Sequence, residues 1–194
     1  KNEALVSAVK AANEAEGAVH ILGLLSDGGV HAHIDHMKAA VRMALEQGAL
    51  QVFVHGFMDG RDTPPKSAEA YVADFEAFLE DISGQYDGEA KIASMIGRFF
   101  AMDRDKRWDR VQAAYELLTQ ANALREASTA IDAVKQAYAA DETDEFIQAT
   151  IIDDNGIIWP MSVAPYHVII TVMKPDDEIQ AKVAEDLYED LCSA

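Results

Sequence analysis

Three apolar runs of strand length constrain the fold of this chain most strongly. They are residues 18–25 (AVHILGLL), 50–57 (LQVFVHGF) and 91–97 (KIASMIG), and each is followed by a loop and then by a helical pattern. A continuous apolar run suits a strand covered on both faces, and strands that alternate with helices form βαβ units. We therefore expect an α/β fold, a three-layer α/β/α sandwich with a mostly parallel sheet and a mixed sheet as the alternative.

The remaining elements follow from apolar periodicity and capping residues. Asn2 can cap a first helix over residues 3–14, and Ser128 can cap a late one. Further helices are predicted at 32–47, 67–79 and from 103 to about 119, and a short strand is predicted at 146–152. The whole chain is expected to form one α/β domain, residues 1–194.

Composition excludes several classes of partner. The formal net charge of −18 argues against nucleic acid and against anionic membrane, because both require a basic face. The single cysteine, Cys192, cannot form an internal disulfide, which suits the reducing cytoplasm. No apolar run is long enough to cross a bilayer, and residues 1–17 do not resemble a signal peptide.

Residues 97–110 (GRFFAMDRDKRWDR) form a local positive island in this acidic chain. They hold five of its 16 basic residues: Arg98, Arg104, Lys106, Arg107 and Arg110. Guanidinium groups bind carboxylates and phosphates in a bidentate way that lysine cannot match. Arg98 and Arg104, at the loop and the helix entry, are the candidate anion ligands, whereas Lys106 and Arg110 fit the solvated face of a helix.

The loops after the first three strands should meet, because ligands of open α/β sheets bind beyond the carboxyl ends of the strands. The loop at 26–36 (SDGGVHAHIDH) contributes His31, and the loop at 59–65 (DGRDTPP) contributes Arg61 and Asp62. With Arg98 and Arg104, these residues fit a small phosphorylated or carboxylated hydroxy acid. Arg61 and Asp62 could instead form a salt bridge with each other within the second loop, and this is the alternative to ligand binding.

A metal site is the alternative interpretation of His31, His33 and His36. No carboxylate or cysteine pattern accompanies them, so the sequence predicts no metal ligand. His33 and His36 are expected to be surface or capping residues. His31, at the junction of loop and helix, is the best placed to contact a substrate.

Three strings resemble the cofactor-independent phosphoglycerate mutases in order and spacing: LLSDGGVHAHIDH, HGFMDGRDTPPKSAE and IGRFFAMDRDKRWDRVQAAYELLT. The resemblance covers about residues 2–152. It implies the inserted phosphotransferase domain, which holds the glycerate while phosphate moves between its 2- and 3-hydroxyls. By the same resemblance, His31, Arg61, Asp62, Arg98 and Arg104 match substrate-binding positions, with Asp62 the partner for proton transfer. The family's two manganese ions and its serine nucleophile belong to a second domain, so no cofactor is expected in this chain.

The sequence changes character after residue 152. The family's later FRADRAR-like strand and loop are missing, and residues 155–192 resemble the start of the anticodon-binding domain of prolyl-tRNA synthetases. We therefore expect an engineered chimera, in which residues 1–152 are mutase-like and residues 153–194 add a strand and a helix.

The leading functional expectation is a domain that is catalytically inactive alone and binds 2- or 3-phosphoglycerate weakly. The alternative is a functional part of a phosphoglycerate mutase that works with a separate manganese domain. A third hypothesis, a tRNA-binding module, is disfavoured because the tail is acidic.

Overall fold

Helices and strands alternate over residues 2–152, the residues that this computed structural model describes. The helices are α1 (Glu3–Glu14), α2 (Ile34–Glu46), α3 (Ala68–Ser83), the one-turn α4 (Arg98–Ala101), α5 (Trp108–Gln120) and α6 (Ala130–Ala139). The strands are β1 (Val19–Leu24), β2 (Gln51–Met58), β3 (Glu89–Gly97), β4 (Arg125–Ala127) and β5 (Thr150–Ile152), and a 3₁₀ turn spans Asp144–Phe146. As expected, Asn2 caps α1, and its side chain accepts hydrogen bonds from the N–H groups of Ala4 and Leu5.

The strands form one sheet in the order β1-β2-β3-β5-β4. β1, β2 and β3 run parallel, β5 runs antiparallel to β3, and β4 runs parallel to β5. This confirms the α/β fold class and selects the mixed sheet. Because β1, β2 and β3 are parallel, their carboxyl ends lie together at one edge, which we call the carboxyl edge.

Both faces of the sheet are covered by helices, which makes three layers. On one face Val52 and Val54 of β2 pack in a large core with residues of α1, α2, α3 and α6. On the other face a smaller cluster joins Ile96 of β3 to Ala114 and Leu117 of α5. The successive residues of a strand point to opposite faces, so the apolar runs supply both cores at once.

A chain of polar side chains crosses the middle of the sheet. His20 Nδ1 of β1 lies 2.9 Å from His55 Nε2 of β2, and His55 Nδ1 lies 2.8 Å from the Ser94 hydroxyl of β3. Burial lowers the pKa of His20, and burial followed by the proximity of His20 lowers the pKa of His55 to about 3. Both imidazoles are therefore neutral at neutral pH, and a neutral imidazole can donate at one nitrogen and accept at the other.

The prediction of a helix from residue 103 is wrong about where the helix begins. A single turn, α4, follows β3 directly, and α5 starts only at Trp108. The reason is the loop between them, where the Asp103 carboxylate accepts hydrogen bonds from the N–H groups of Asp105 (3.1 Å) and Arg107 (2.9 Å). Lys106 also has a positive φ of 59°, which cannot continue a right-handed helix.

Within residues 2–152, no helix has both the length and the apolar character that crossing a membrane requires. The predicted strand and helix of residues 153–194, their resemblance to a synthetase domain and the tRNA-binding hypothesis lie outside the described residues. The division of the chain at residue 152 stays a prediction.

Candidate functional site

The carboxyl edge gathers the loops that the sequence singles out. Register pairs place the ends of β1, β2 and β3 side by side, since Leu24 pairs with Phe57 and Met58 pairs with Gly97. Ser26 and Asp27 follow β1, residues 59–62 follow β2, and Arg98 follows β3. The edge therefore brings together hydroxyl, carboxylate and guanidinium groups from three separate loops.

Arg98 is held between two carboxylates. Its Nη1 donates to Asp59 Oδ1 at 2.7 Å and to Asp62 Oδ2 at 2.6 Å, and its side chain is only 8% exposed. Burial alone would lower the pKa of Arg98, but the bonds to Asp62 and Asp59 outweigh burial and raise it. The guanidinium is therefore a permanent positive charge at the edge.

Two nitrogens of Arg98 remain for a ligand. Both ion pairs use Nη1, and Nε and Nη2 make no hydrogen bond with residues 2–152. In the described part of the chain no fully buried side-chain nitrogen or oxygen lacks a partner, so these two nitrogens are not fully buried. Arg98 can thus keep both carboxylates and still donate to an anion.

Asp59 organises its own loop. Its Oδ1 accepts hydrogen bonds from the N–H groups of Arg61 (3.2 Å) and Asp62 (3.0 Å), the arrangement of an Asx turn. Its Oδ2 accepts from the Ser26 hydroxyl at 2.6 Å. Burial would raise the pKa of Asp59, but the hydrogen bonds from Ser26, the Asp62 N–H, Arg98 and the Arg61 N–H outweigh it and hold the pKa below its ordinary value.

His31 and Arg61 lie beside this pair, whereas Arg104 makes no contact with it. His31 Nε2 is 3.9 Å from Asp62 Oδ2. The Arg61 guanidinium is 62% exposed and makes a long 3.4 Å contact with Glu145. Arg104 is exposed on the loop before α5 and forms no ion pair with the other described residues. The structure therefore brings His31, Asp62 and Arg98 together, with Arg61 next to them.

An acidic turn, residues 141–146, supports the β2 loop from the far side. Asp144 is buried, and its Oδ2 accepts from the N–H groups of Ser67 (2.8 Å) and Ala68 (2.9 Å) at the start of α3. Gly60 has a φ of +66°, and a Cβ there would lie 2.8 Å from the Cβ of Asp144. A Cβ at Gly97 would lie 2.2 Å from the Glu145 carbonyl oxygen. The turn fits the edge only because both positions are glycine.

Tyr71 of α3 adds a contact that the sequence does not predict. Its hydroxyl donates a short hydrogen bond to Asp27, in the loop after β1. The pKa of Tyr71 is raised to about 12, mainly by this hydrogen bond to Asp27 and next by burial. Tyr71 therefore stays protonated and fixes the first loop against α3.

The histidines of residues 2–152 do not form a metal centre. His33 caps α2, where its Nδ1 accepts from the Asp35 N–H at 3.2 Å, and its ring centroid is 6.1 Å from that of His36. Among residues 2–152, no group of three or more histidine, cysteine or acidic side chains is placed to hold a metal ion. The carboxylates of Asp59 and Asp62 are both paired with Arg98, and Asp59 also accepts a hydrogen bond from Ser26.

Ser26, Asp59 and Glu145 are the site residues that sequence reasoning missed. The first two stand inside the loops that were singled out, but a DGRD string does not reveal which carboxylate faces the guanidinium. Glu145 is 84 positions from Arg61, and only the antiparallel entry of β5 brings it near. Chemically, the edge offers guanidinium donors for an anion, a carboxylate oxygen and an imidazole within about one small ligand's length.

Comparison with known proteins gives consistent relatives. The family described as BPG-independent PGAM N-terminus matches residues 1–172. A 2,3-bisphosphoglycerate-independent phosphoglycerate mutase of Psychrobacter arcticus is 57% identical over 153 residues, covering 78% of this chain and 28% of the relative. The enzyme of the same name from Acinetobacter baylyi is 53% identical over 154 residues, covering 79% of this chain and 29% of the relative.

A solved structure agrees with the sequence relatives. The Leishmania mexicana phosphoglycerate mutase, crystallised at low cobalt concentration, superposes with a TM-score of 0.66 at 30% identity. The match covers 77% of this chain and 30% of that one. The chain thus spans less than a third of the length of these relatives.

Proposed function

This chain belongs to the family of BPG-independent PGAM N-termini, and we propose that it holds 2- or 3-phosphoglycerate at the carboxyl edge of its sheet. The observation that carries the proposal is the convergence of His31, Asp62 and Arg98, with Arg61 beside them. A phosphoglycerate carries a phosphate, a carboxylate and a hydroxyl. The edge has a partner for each of these groups.

The proposed roles rest on these contacts and, for Arg104, on the family resemblance. Arg98 donates from Nε and Nη2 to one anionic group of the ligand, and Arg61 leaves its exposed contact with Glu145 to bind the other. Asp62 exchanges a proton with the ligand hydroxyl, and His31, close to Asp62, hydrogen-bonds the same end of the ligand. Arg104 reaches the phosphate from its exposed loop.

We propose that the chain alone does not interconvert the two phosphoglycerates. It spans 28% of the Psychrobacter arcticus relative, and by the family resemblance the manganese ions and the serine nucleophile belong to a second domain. In full-length relatives, manganese would supply a metal-assisted transfer of the phosphoryl group. The alternative is that this chain is a working part of such an enzyme in the cytoplasm and pairs with a separate metal domain.

Titration with 3-phosphoglycerate, followed by NMR of the ¹⁵N-labelled chain, tests the binding proposal. We expect shifts at His31, Arg61 and Arg98, and no shifts in α1. Arg61→Ala should weaken binding about tenfold, the usual cost of a charge-assisted hydrogen bond. Arg42→Ala, on α2, is the control and should leave the affinity unchanged. No shift at millimolar ligand would contradict the proposal.

Activity is tested separately. The chain, supplied with manganese and 3-phosphoglycerate, should form no 2-phosphoglycerate. Turnover by the chain alone would contradict the proposal that it is inactive, and turnover only after addition of a separately produced metal domain would favour the alternative.

We also propose that residues 153–194 come from a second parent. The support is the resemblance of residues 155–192 to a synthetase domain. The alignments with the curated relatives cited above span 153 and 154 of the 194 residues, and the family match runs to residue 172. If the tail replaces a segment that supplies phosphate contacts, exchanging residues 153–194 for the corresponding segment of the Psychrobacter arcticus relative should tighten 3-phosphoglycerate binding. Equal affinity would argue against a foreign tail.

A further inference from the structure

Asp59 contacts all three loops of the carboxyl edge. It accepts the hydroxyl of Ser26 from the loop after β1, two N–H groups of its own loop, and Nη1 of Arg98 after β3. Its side chain is only 3% exposed, so it cannot contact a ligand as freely as Asp62 or Arg61 can. Asp59 is therefore placed to affect ligand binding through the residues that it contacts.

The geometry of Arg98 depends on this carboxylate. A guanidinium bound by Asp62 alone could turn about that single contact, and its remaining nitrogens would then have no fixed direction. The second bond, from Nη1 to Asp59 at 2.7 Å, fixes the plane of the group. Nε and Nη2 are thereby left without a hydrogen bond to the described residues and can bind an anion in a bidentate way.

The same carboxylate orients Asp62 and Arg61. Their N–H groups both donate to Asp59 Oδ1, at 3.0 and 3.2 Å, so the turn that carries the two side chains closes on Asp59. One buried group therefore sets the direction of three proposed ligand-binding residues.

We propose that Asp59 is a positioning residue for ligand binding, resting on the proposed phosphoglycerate-binding function, and that it acts by geometry and not by charge. The effect of geometry can be distinguished from the effect of charge because the two carboxylate oxygens of Asp59 have different partners. Oδ1 accepts all three nitrogen donors, and Oδ2 accepts only the Ser26 hydroxyl. An asparagine can keep this pattern, with Oδ1 as acceptor and Nδ2 donating to the Ser26 oxygen. A glutamate keeps the charge but displaces the carboxylate by one methylene.

The experiment compares Asp59→Asn with Asp59→Glu in the 194-residue chain. Two quantities are measured: the Kd for 3-phosphoglycerate, and the guanidinium ¹⁵N–H signals of Arg98 without ligand, which are visible when rotation of the group is restricted. We expect Asp59→Asn to retain the Arg98 signals and to bind within about threefold of wild type. Asp59→Glu should lose those signals and bind at least about tenfold more weakly, as expected when a pre-organised donor is misplaced.

Glu142→Asp is the matched control. Glu142 also forms a carboxylate–arginine pair, with Arg125 of β4, and both side chains are partly buried, but Glu142 touches none of the proposed ligand-binding residues. Its one-methylene change should lower stability and leave both the Kd and the Arg98 signals unaltered.

The outcomes are decisive in each case. Binding by Asp59→Glu within twofold of wild type, or an equal loss in Asp59→Asn, would overturn the positioning role. If wild type does not bind 3-phosphoglycerate, the proposed function fails, and the Arg98 signals of the two variants still decide the positioning role. If Asp59→Glu does not fold, Asp59→Asn decides. A folded Asp59→Asn that lacks the Arg98 signals overturns the positioning role, and a folded Asp59→Asn that retains them supports it.

Discussion

At the scale of single residues, the buried charges of this domain each have more than one partner. Arg98 has two carboxylates, Asp59 has a hydroxyl, a guanidinium and two N–H groups, and Asp144 has two N–H groups and the Tyr138 hydroxyl. An unpaired buried charge costs several kcal/mol, so removing one partner of such a group is more damaging than removing an exposed ion pair. The carboxyl edge is therefore rigid where it is buried and adaptable where Arg61 is exposed.

The buried histidines make stability sensitive to mild acid. The pKa of His55 is about 3 in the fold, against 6.5 for an ordinary histidine, so the unfolded chain binds more protons below pH 6.5. Stability is then complete above pH 6.5 and falls as the pH drops towards 3. From His55 alone we expect a loss of about 2 kcal/mol between pH 7 and pH 5. Urea unfolding at the two pH values measures it.

Two variants isolate this effect. His55→Asn removes the titrating group and should flatten the pH dependence between 7 and 5, while His33→Asn, at the exposed cap of α2, should leave it in place. Carboxylates with lowered pKa values, such as Asp59, lose their contribution only below about pH 4, outside this window. An unchanged slope in His55→Asn would refute the assignment.

Residue types were predictable from the sequence, but their pairing was not. The loops of His31, Arg61, Asp62 and Arg98 stand at strand ends, and the parallel sheet rule places them at one edge. The rule does not specify that Asp59 holds Arg98, because that depends on side-chain directions fixed by the whole turn. Nor does any local pattern place Arg104, whose loop is shaped by the Asp103 turn and by Lys106.

At the scale of elements, α3 is capped by a residue distant in sequence. Ser67 occupies the N-cap position, but its side chain makes no capping bond, and Asp144 accepts the N–H groups of Ser67 and Ala68 instead. The acidic turn thus ties the start of α3 to the segment that leads into β5. This long-range cap has no local sequence signature, unlike the Asn2 cap of α1.

Replacing Asp144 by alanine should destabilise the fold by about 3 kcal/mol, because it removes a helix cap and leaves the Tyr138 hydroxyl without its partner. Ser67→Ala should cost less than about 1 kcal/mol, since Ser67 is not the group that caps. Chemical denaturation of both variants at neutral pH measures the difference. Equal costs would show that the cap is local.

Two short elements, α4 and β4, were not predicted, and the strand predicted at 146–152 begins only at Thr150, after the 3₁₀ turn. β4 is three residues, REA, with no apolar alternation, and it becomes a strand only because β5 lies next to it. The longer elements α1, α2, β1 and β2 appear within a few residues of their expected bounds, because each buries a continuous face.

At the scale of the whole molecule, the sheet is strongest in its middle. β2 is hydrogen-bonded to β1 and β3 over most of its length, whereas β4 pairs with β5 over three residues. We expect the amides of β2 and β3 to exchange with solvent deuterium most slowly and those of β4 to exchange much faster. Hydrogen exchange followed by NMR gives the order, and β4 protection equal to that of β2 would contradict it.

The direction of β5 has a consequence for engineering this domain. Thr150 pairs with Met95 and Ile151 with Ser94, so β5 runs away from the edge that bears Arg98. A segment grafted after Ile152 therefore continues away from the carboxyl edge. It can be exchanged without passing the loops that bear the proposed ligand-binding residues. A grafted segment that is to contact the ligand must first turn and then run back about 13 Å to the carboxyl edge. This distance takes roughly four extended residues beyond the turn.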